Sequence, residues 1–202
     1  MVMKETKLRQ PTQKRAIEKK QKILECGFNL ICEKGYHSID CIEIAQASGV
    51  STGTVYQYFK DKRDIFLQGL KNYSDSLLFP ILEYKDKPIK KDGLTTFFKK
   101  LIKSTISVHT FSESAHEEIM SMRHSDKEVN KIFQDFEIQA TDVLVDILES
   151  NNFETKNIYE KSHIIIGWID NLCHEVAYHK HPDLNYNKMI DIVVNSIVQL
   201  LN

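Results

Sequence analysis

Thr52, Gly53, Thr54, Tyr56, Gln57, Tyr58 and Lys62 gather hydroxyls, an amide and an ammonium into one short stretch of the chain. Hydroxyls and an ammonium donate to phosphate oxygens, and a glutamine amide can pair with N6 and N7 of adenine. A glycine lets backbone approach a ligand without a side chain in the way. These groups suit recognition of a polyanion that also presents base edges. Thr52 and Gln57 are the base-reading candidates; Thr54, Tyr56, Tyr58 and Lys62 are the phosphate candidates. The alternative for Tyr56 and Tyr58 is plain aromatic packing.

The elements that must position them are written in residues 39–66. Asp40 can cap a helix, with Glu43 three residues on completing a capping box. Cys41, Ile44, Ala45 and Ser48 then share one helical face, and Gly49 supplies a left-handed stop. Ser51 can cap a second, very short helix on which Val55 and Phe59 turn inward. Two short helices about a tight turn form a helix-turn-helix, whose second helix is built to enter a DNA major groove. Ile42 is expected to add to the core; packing on a thymine methyl is its other use.

The residues Ile44-Ala45, Ala47, Gly49-Val50-Ser51, Gly53-Thr54, Val55-Tyr56, Tyr58-Phe59 and Lys62 resemble the TetR/AcrR family of transcriptional regulators. Gly35-Tyr36 fits the same family. Ser48 departs where the family has Ala or Leu, and Ile42 where relatives often place a polar or basic residue. The resemblance covers about the first third of the chain. It implies an all-α homodimer with a DNA-binding head and a ligand-binding body, whose last two helices pair with their mates. It further implies a repressor released from a palindromic operator by a small-molecule effector, with half-sites about one helical turn (~34 Å) or a multiple apart. The alternative is a DNA-binding regulator without an effector, controlled by partner-protein contacts. An enzyme fused to a helix-turn-helix is the weaker alternative: no Gly-rich phosphate loop, G-x-S-x-G or H-E-x-x-H occurs.

Net charge is -1, which is unpromising for DNA until it is divided. Residues 1–63 hold twelve Lys/Arg against seven Asp/Glu, and the remainder holds fifteen against twenty-one. The basic excess therefore lies with the helix-turn-helix, where phosphate binding requires it. A basic arm, 1–13, precedes the first helix and could lie on the DNA backbone. No apolar run is long enough to span a bilayer, and the charged N-terminus lacks a hydrophobic signal core. A cytoplasmic protein without a membrane partner is expected. The four cysteines form no C-x-x-C pair and read as buried small hydrophobes.

Periodicity predicts about nine helices and no strand. The head occupies 1–62, with an amphipathic helix over 14–34 bearing Ile17, Leu24, Phe28 and Ile31. The body occupies 63–202. Its helices are expected from Lys62 to a stop at Pro80, over 94–108, over 112–122, and in a long stretch capped by Ser125 with Glu128. Two more follow, from near Thr155 to Pro182 and over 184–201. Candidate pocket residues are Phe97, Phe98, Leu101, Met120, Phe133, Phe136, Ile165 and Trp168. Ile169, Leu172, Val176, Ile190, Val194 and Ile197 are the candidate dimer contacts. No cofactor is expected. Nor is a metal site: among His174, Glu175, His179 and His181, neighbours diverge on a helix and His174 to His179 is a poor spacing for chelation.

Overall fold

A computed structural model describes Leu8 and residues 11–109, 111–153 and 156–202. Most of the expected basic arm, and Thr155, lie outside the described residues. Among these the fold is all-α: α1 (Lys14–Lys34), α2 (Cys41–Ser48), α3 (Thr52–Tyr58), α4 (Lys62–Leu77), α5 (Phe79–Leu82), α6 (Leu94–Val108), α7 (Glu113–Ser125), α8 (Lys127–Ser150), α9 (Ile158–Ala177) and α10 (Tyr186–Leu201). Single 3-10 turns occur at Tyr36–Ser38 and Lys91–Gly93. The addition to the expected helices is α5, one turn that starts at Phe79 with Pro80 next, whose fixed φ and missing N–H are tolerated in a helix's first turn. No helix among the described residues is long and apolar enough to cross a membrane.

The helices form two compact units. The first comprises residues 1–73 with 114–129. Its core is built from Ile23, Leu24, Phe28, Ile31, Ile44, Val55, Phe59, Ile65, Phe66 and Leu70, all buried. The spacing of Leu24, Phe28 and Ile31 drives α1 onto this core, whereas Ile17, a turn or two earlier, stays half exposed. Phe28 and Phe66 pack with ring centroids 5.9 Å apart. Gly69 permits this approach, since a Cβ there would lie 2.4 Å from the Phe28 ring.

Within this unit α7 is fastened to the α1–α2 turn and to α4. Glu118 accepts the Tyr36 amide at 2.6 Å. Arg63 grips Asp126 through both carboxylate oxygens and reaches Glu128 at 2.6 Å. Asp126 also caps α8, accepting from the amides of Glu128 and Val129. The expected cap, Ser125, instead turns its hydroxyl back to the Ser121 carbonyl. A carboxylate stabilises a helix N-terminus more strongly than a hydroxyl does, and here it is fixed by Arg63 as well.

The second unit comprises 74–113 with 130–202. Its core draws on α6, α8, α9 and α10, through Phe97, Phe98, Leu101, Ile102, Leu144, Ile147, Ile165, Ile169, Val194 and Ile197 among others. Asn151 joins the α8 terminus to the loop before α6, accepting the Ile89 amide at 2.6 Å. Asn185 caps α10 by accepting from Lys188.

Candidate nucleic-acid interface

The turn between α2 and α3 is fixed by local chemistry. Asp40 accepts the amides of Ile42 and Glu43 while Glu43 accepts the Asp40 amide, which is the capping box expected from the sequence. Gly49, at φ 68°, then donates to the Gln46 carbonyl, and Val50 donates to that of Ala45. This is a Schellman stop, and its positive φ is the reason for a glycine. Ser48 is buried on the α2 face, its hydroxyl satisfied by the Ile44 carbonyl at 2.7 Å. A serine thus replaces an apolar residue there without leaving an orphaned polar group. Ser51 caps α3 by accepting the Thr54 amide.

On α3 the side chains divide by the helical period. Val55, Tyr58 and Phe59 point into the core. Gly53, Tyr56 and Gln57 are exposed, and Thr52 and Thr54 are partly so. The Thr54 hydroxyl lies 2.9 Å from that of Ser51, so part of its hydrogen-bonding capacity is used locally. Tyr56 hydrogen-bonds the Cys41 thiol, which raises the pKa of its hydroxyl and keeps it protonated as a donor. Burial raises the pKa of the Cys41 thiol itself.

Three residues stand differently from the sequence-based expectation. Tyr58 is buried and belongs to the packing that holds α3, so its ring is not on the outward strip. The Lys62 ammonium is committed to the protein, donating to the carbonyls of Tyr36 and Ile39 at 2.7 and 2.8 Å and lying over the Tyr36 ring. Ile42 is not core: it is 54% exposed, because the face occupied by Cys41 and Ile44 leaves the intervening position turned outward. The ties from Glu118 and Asp126 have no local signal, since their partners lie 82 and 63 residues away in sequence.

In the second unit, a partly open, mainly apolar cavity of about 30 Å³ is lined by Leu77, Ile81, Leu101, Thr105, Phe136, Ala140, Ile166, Ile169 and Asp170. Of the candidate pocket residues only Leu101 and Phe136 reach it. Phe97 instead lines a second, more open cavity of about 430 Å³ with Tyr84, Pro88 and Ile89; Phe98 and Ile165 are ordinary core, and Phe133 is buried without lining the smaller cavity. Met120 belongs to the first unit. Trp168 is 40% exposed. The candidate dimer contacts are displaced in the opposite sense: Ile169, Leu172, Ile190, Val194 and Ile197 are buried in the unit's own core, with Val176 packed against it. The apolar side chains that α9 and α10 do expose are Tyr159, Ile164, Trp168 and Ile192.

Residues 23–68 match the family described as bacterial regulatory proteins, tetR family. The chain is 41% identical over 59 residues to the HTH-type transcriptional regulator HbdR of Aromatoleum sp. (strain CIB), covering 29% of this chain and 26% of that protein. It is 24% identical over 139 residues to the biofilm operon icaADBC HTH-type negative transcriptional regulator IcaR of Staphylococcus epidermidis, covering 66% of this chain and 75% of that one. The chain spans between 26% and 43% of the length of three curated relatives that it matches at 32–41% identity. Among solved structures, a tetR-family transcriptional regulator from Streptomyces coelicolor superposes with a TM-score of 0.67 at 16% identity, over 91% of this chain and 80% of that one. The head is thus similar in sequence to the tetR-family model and to HTH-type transcriptional regulators, and 91% of the chain is similar in fold to a solved tetR-family structure.

Proposed function

We propose that the chain is a DNA-binding transcriptional repressor that acts as a homodimer on a palindromic operator. The observation that carries this reading is the outward strip of α3, Gly53, Tyr56 and Gln57 flanked by Thr52 and Thr54, over a buried Val55, Tyr58 and Phe59. Gln57 supplies direct base reading, and Tyr56 and the threonines supply phosphate contacts that set the register. Ile42, exposed at the start of α2, adds an apolar contact suited to a thymine methyl. The test is selection of DNA fragments by the purified protein, followed by sequencing. Enrichment of a two-fold symmetric site supports the reading; recovery of unselected sequence removes it.

Dimerisation is proposed through the outer faces of α9 and α10, where Ile164 and Trp168 lie one turn apart and Ile192 is 63% exposed. Release by a small molecule would use the cavity beside Leu101 and Phe136 in the second unit. At about 30 Å³ that cavity holds roughly one water, so an effector must open it by repacking Leu101, Phe136 or Ile169. In a second reading, occupancy is set by partner proteins and no effector enters. Screening apolar ligands for a rise in melting temperature together with loss of DNA binding separates the two.

A further inference from the structure

We propose that His109, Asp170 and His174 form a three-ligand site for a divalent transition-metal ion of the zinc class, within the second unit. Each offers one ligand atom, and these atoms all lie within 4.8 Å of one another. Asp170 and His174 are one turn apart on α9 and so share a face, while His109 comes from the residue that ends α6. The spacing considered from the sequence began at His174 and ran forward; the chelating pair runs backward to Asp170.

The state of His109 is what marks the place as a site. Its Nδ1 lies 2.7 Å from the Thr105 carbonyl, which can only accept, so Nδ1 carries the proton. In the neutral ring, Nε2 then holds a bare lone pair. That atom is buried and has no hydrogen-bond partner. A buried acceptor without a partner costs stability, and a metal ion satisfies it. An imidazole that donates one nitrogen to a carbonyl and turns the other inward is the usual arrangement of a metal-binding histidine.

The neighbouring distances agree. His174 Nε2 and Asp170 Oδ1 are 3.7 Å apart, too far for a hydrogen bond. Two ligands on one zinc ion, each about 2.0–2.2 Å from it, are separated by roughly 3.3 Å at a tetrahedral angle. Movement of well under an ångström closes the α9 pair, and with all three ligand atoms within 4.8 Å of one another, at most about 1.5 Å brings in His109. The two imidazoles stand nearly perpendicular, at 77° with centroids 5.2 Å apart, so they do not stack against each other. Two nitrogens and one carboxylate oxygen suit zinc or a neighbouring first-row ion better than calcium or magnesium, which favour all-oxygen shells. Three protein ligands leave a fourth position for water.

Zinc titration against a chromophoric chelator tests this on the full chain, comparing wild type with Asp170→Asn, His174→Ala and His109→Ala. Wild type should bind one equivalent that each variant loses or holds about 100-fold more weakly. His181→Ala, whose ring pairs with Glu175 outside the triad, should leave that equivalent unchanged. Helix content by circular dichroism identifies any variant that fails to fold. Should His109→Ala be one, the two α9 variants, at partly exposed positions, decide the matter. Failure of wild type to bind zinc, or wild-type affinity retained in folded Asp170→Asn and His174→Ala, overturns the proposal. The DNA-binding reading is unaffected by either result.

Discussion

The Nζ atom of Lys62 stands 2.8 Å from the carbonyl oxygen of Ile39, and with the Tyr36 carbonyl it closes the turn before α2 onto the start of α4. An ammonium spent on two backbone carbonyls holds the head together; it is not free to follow a phosphate. Lys62→Ala should therefore lower the head's stability by about 1.5–3 kcal/mol, the range for hydrogen bonds to a charged group. Denaturant unfolding measures this. The slope of log affinity against log salt should be unchanged for the folded protein. A fall of about one in that slope with stability intact would return Lys62 to the phosphate contacts.

Gln57 and Ile42 are expected to discriminate sequence, each in its own way. Gln57→Ala should cost about 1–3 kcal/mol on the selected operator and little on random DNA. Ile42→Ala should cost less, with its effect confined to operator positions that carry thymine and lost where uracil, which lacks the methyl, replaces it. Binding titrations on a matched set of operator variants read both. Equal losses on specific and random DNA would remove either residue from base recognition.

The head was legible because its signals are local. A capping box, a glycine stop and a serine cap lie within a few residues of the groups they satisfy, and all three occur in the structure. Ile42 and Tyr58 were harder, since on a helix of two turns one position's rotation separates core from surface. In the body the same limit becomes systematic. Ile164, Ile165, Trp168 and Ile169 all read as apolar, but Ile165 and Ile169 are buried whereas Ile164 and Trp168 face outward. Apolar residues on both faces of α9 leave nothing in the period to say which face meets the unit's core. Glu118 and Asp126 were illegible for another reason: their partners are brought to them only by the completed fold.

The two faces of α9 and α10 predict opposite outcomes for substitution. Trp168→Arg together with Ile192→Lys should leave helix content and melting of the monomer nearly unchanged, while shifting sedimentation from dimer to monomer. Charges on exposed positions cost a folded chain little, but they abolish an apolar interface. Val194→Asp, at a fully buried position, should unfold the second unit outright. A dimer that survives the double substitution places the interface elsewhere.

Arg63 and Asp126 give the first unit an acid-sensitive clasp. Hydrogen bonding to the Arg63 guanidinium is the chief cause that holds the Asp126 carboxyl below its ordinary pKa, with the amides of Val129 and Glu128 adding to it. Arg63 is correspondingly pushed up and stays charged. For a carboxylate depressed in the folded state, the stabilisation is complete above its unfolded pKa and is lost as pH falls through the folded one. The first unit should therefore lose stability as pH falls from about 4 downward, in the carboxylate range. Asp126→Asn should remove that part of the pH dependence. At neutral pH it should cost about 1 kcal/mol, as expected for a partly solvated pair. Melting curves of wild type and variant between neutral and acid pH make the comparison. Curves that remain parallel down to the lowest pH would show that the clasp does not contribute to acid stability.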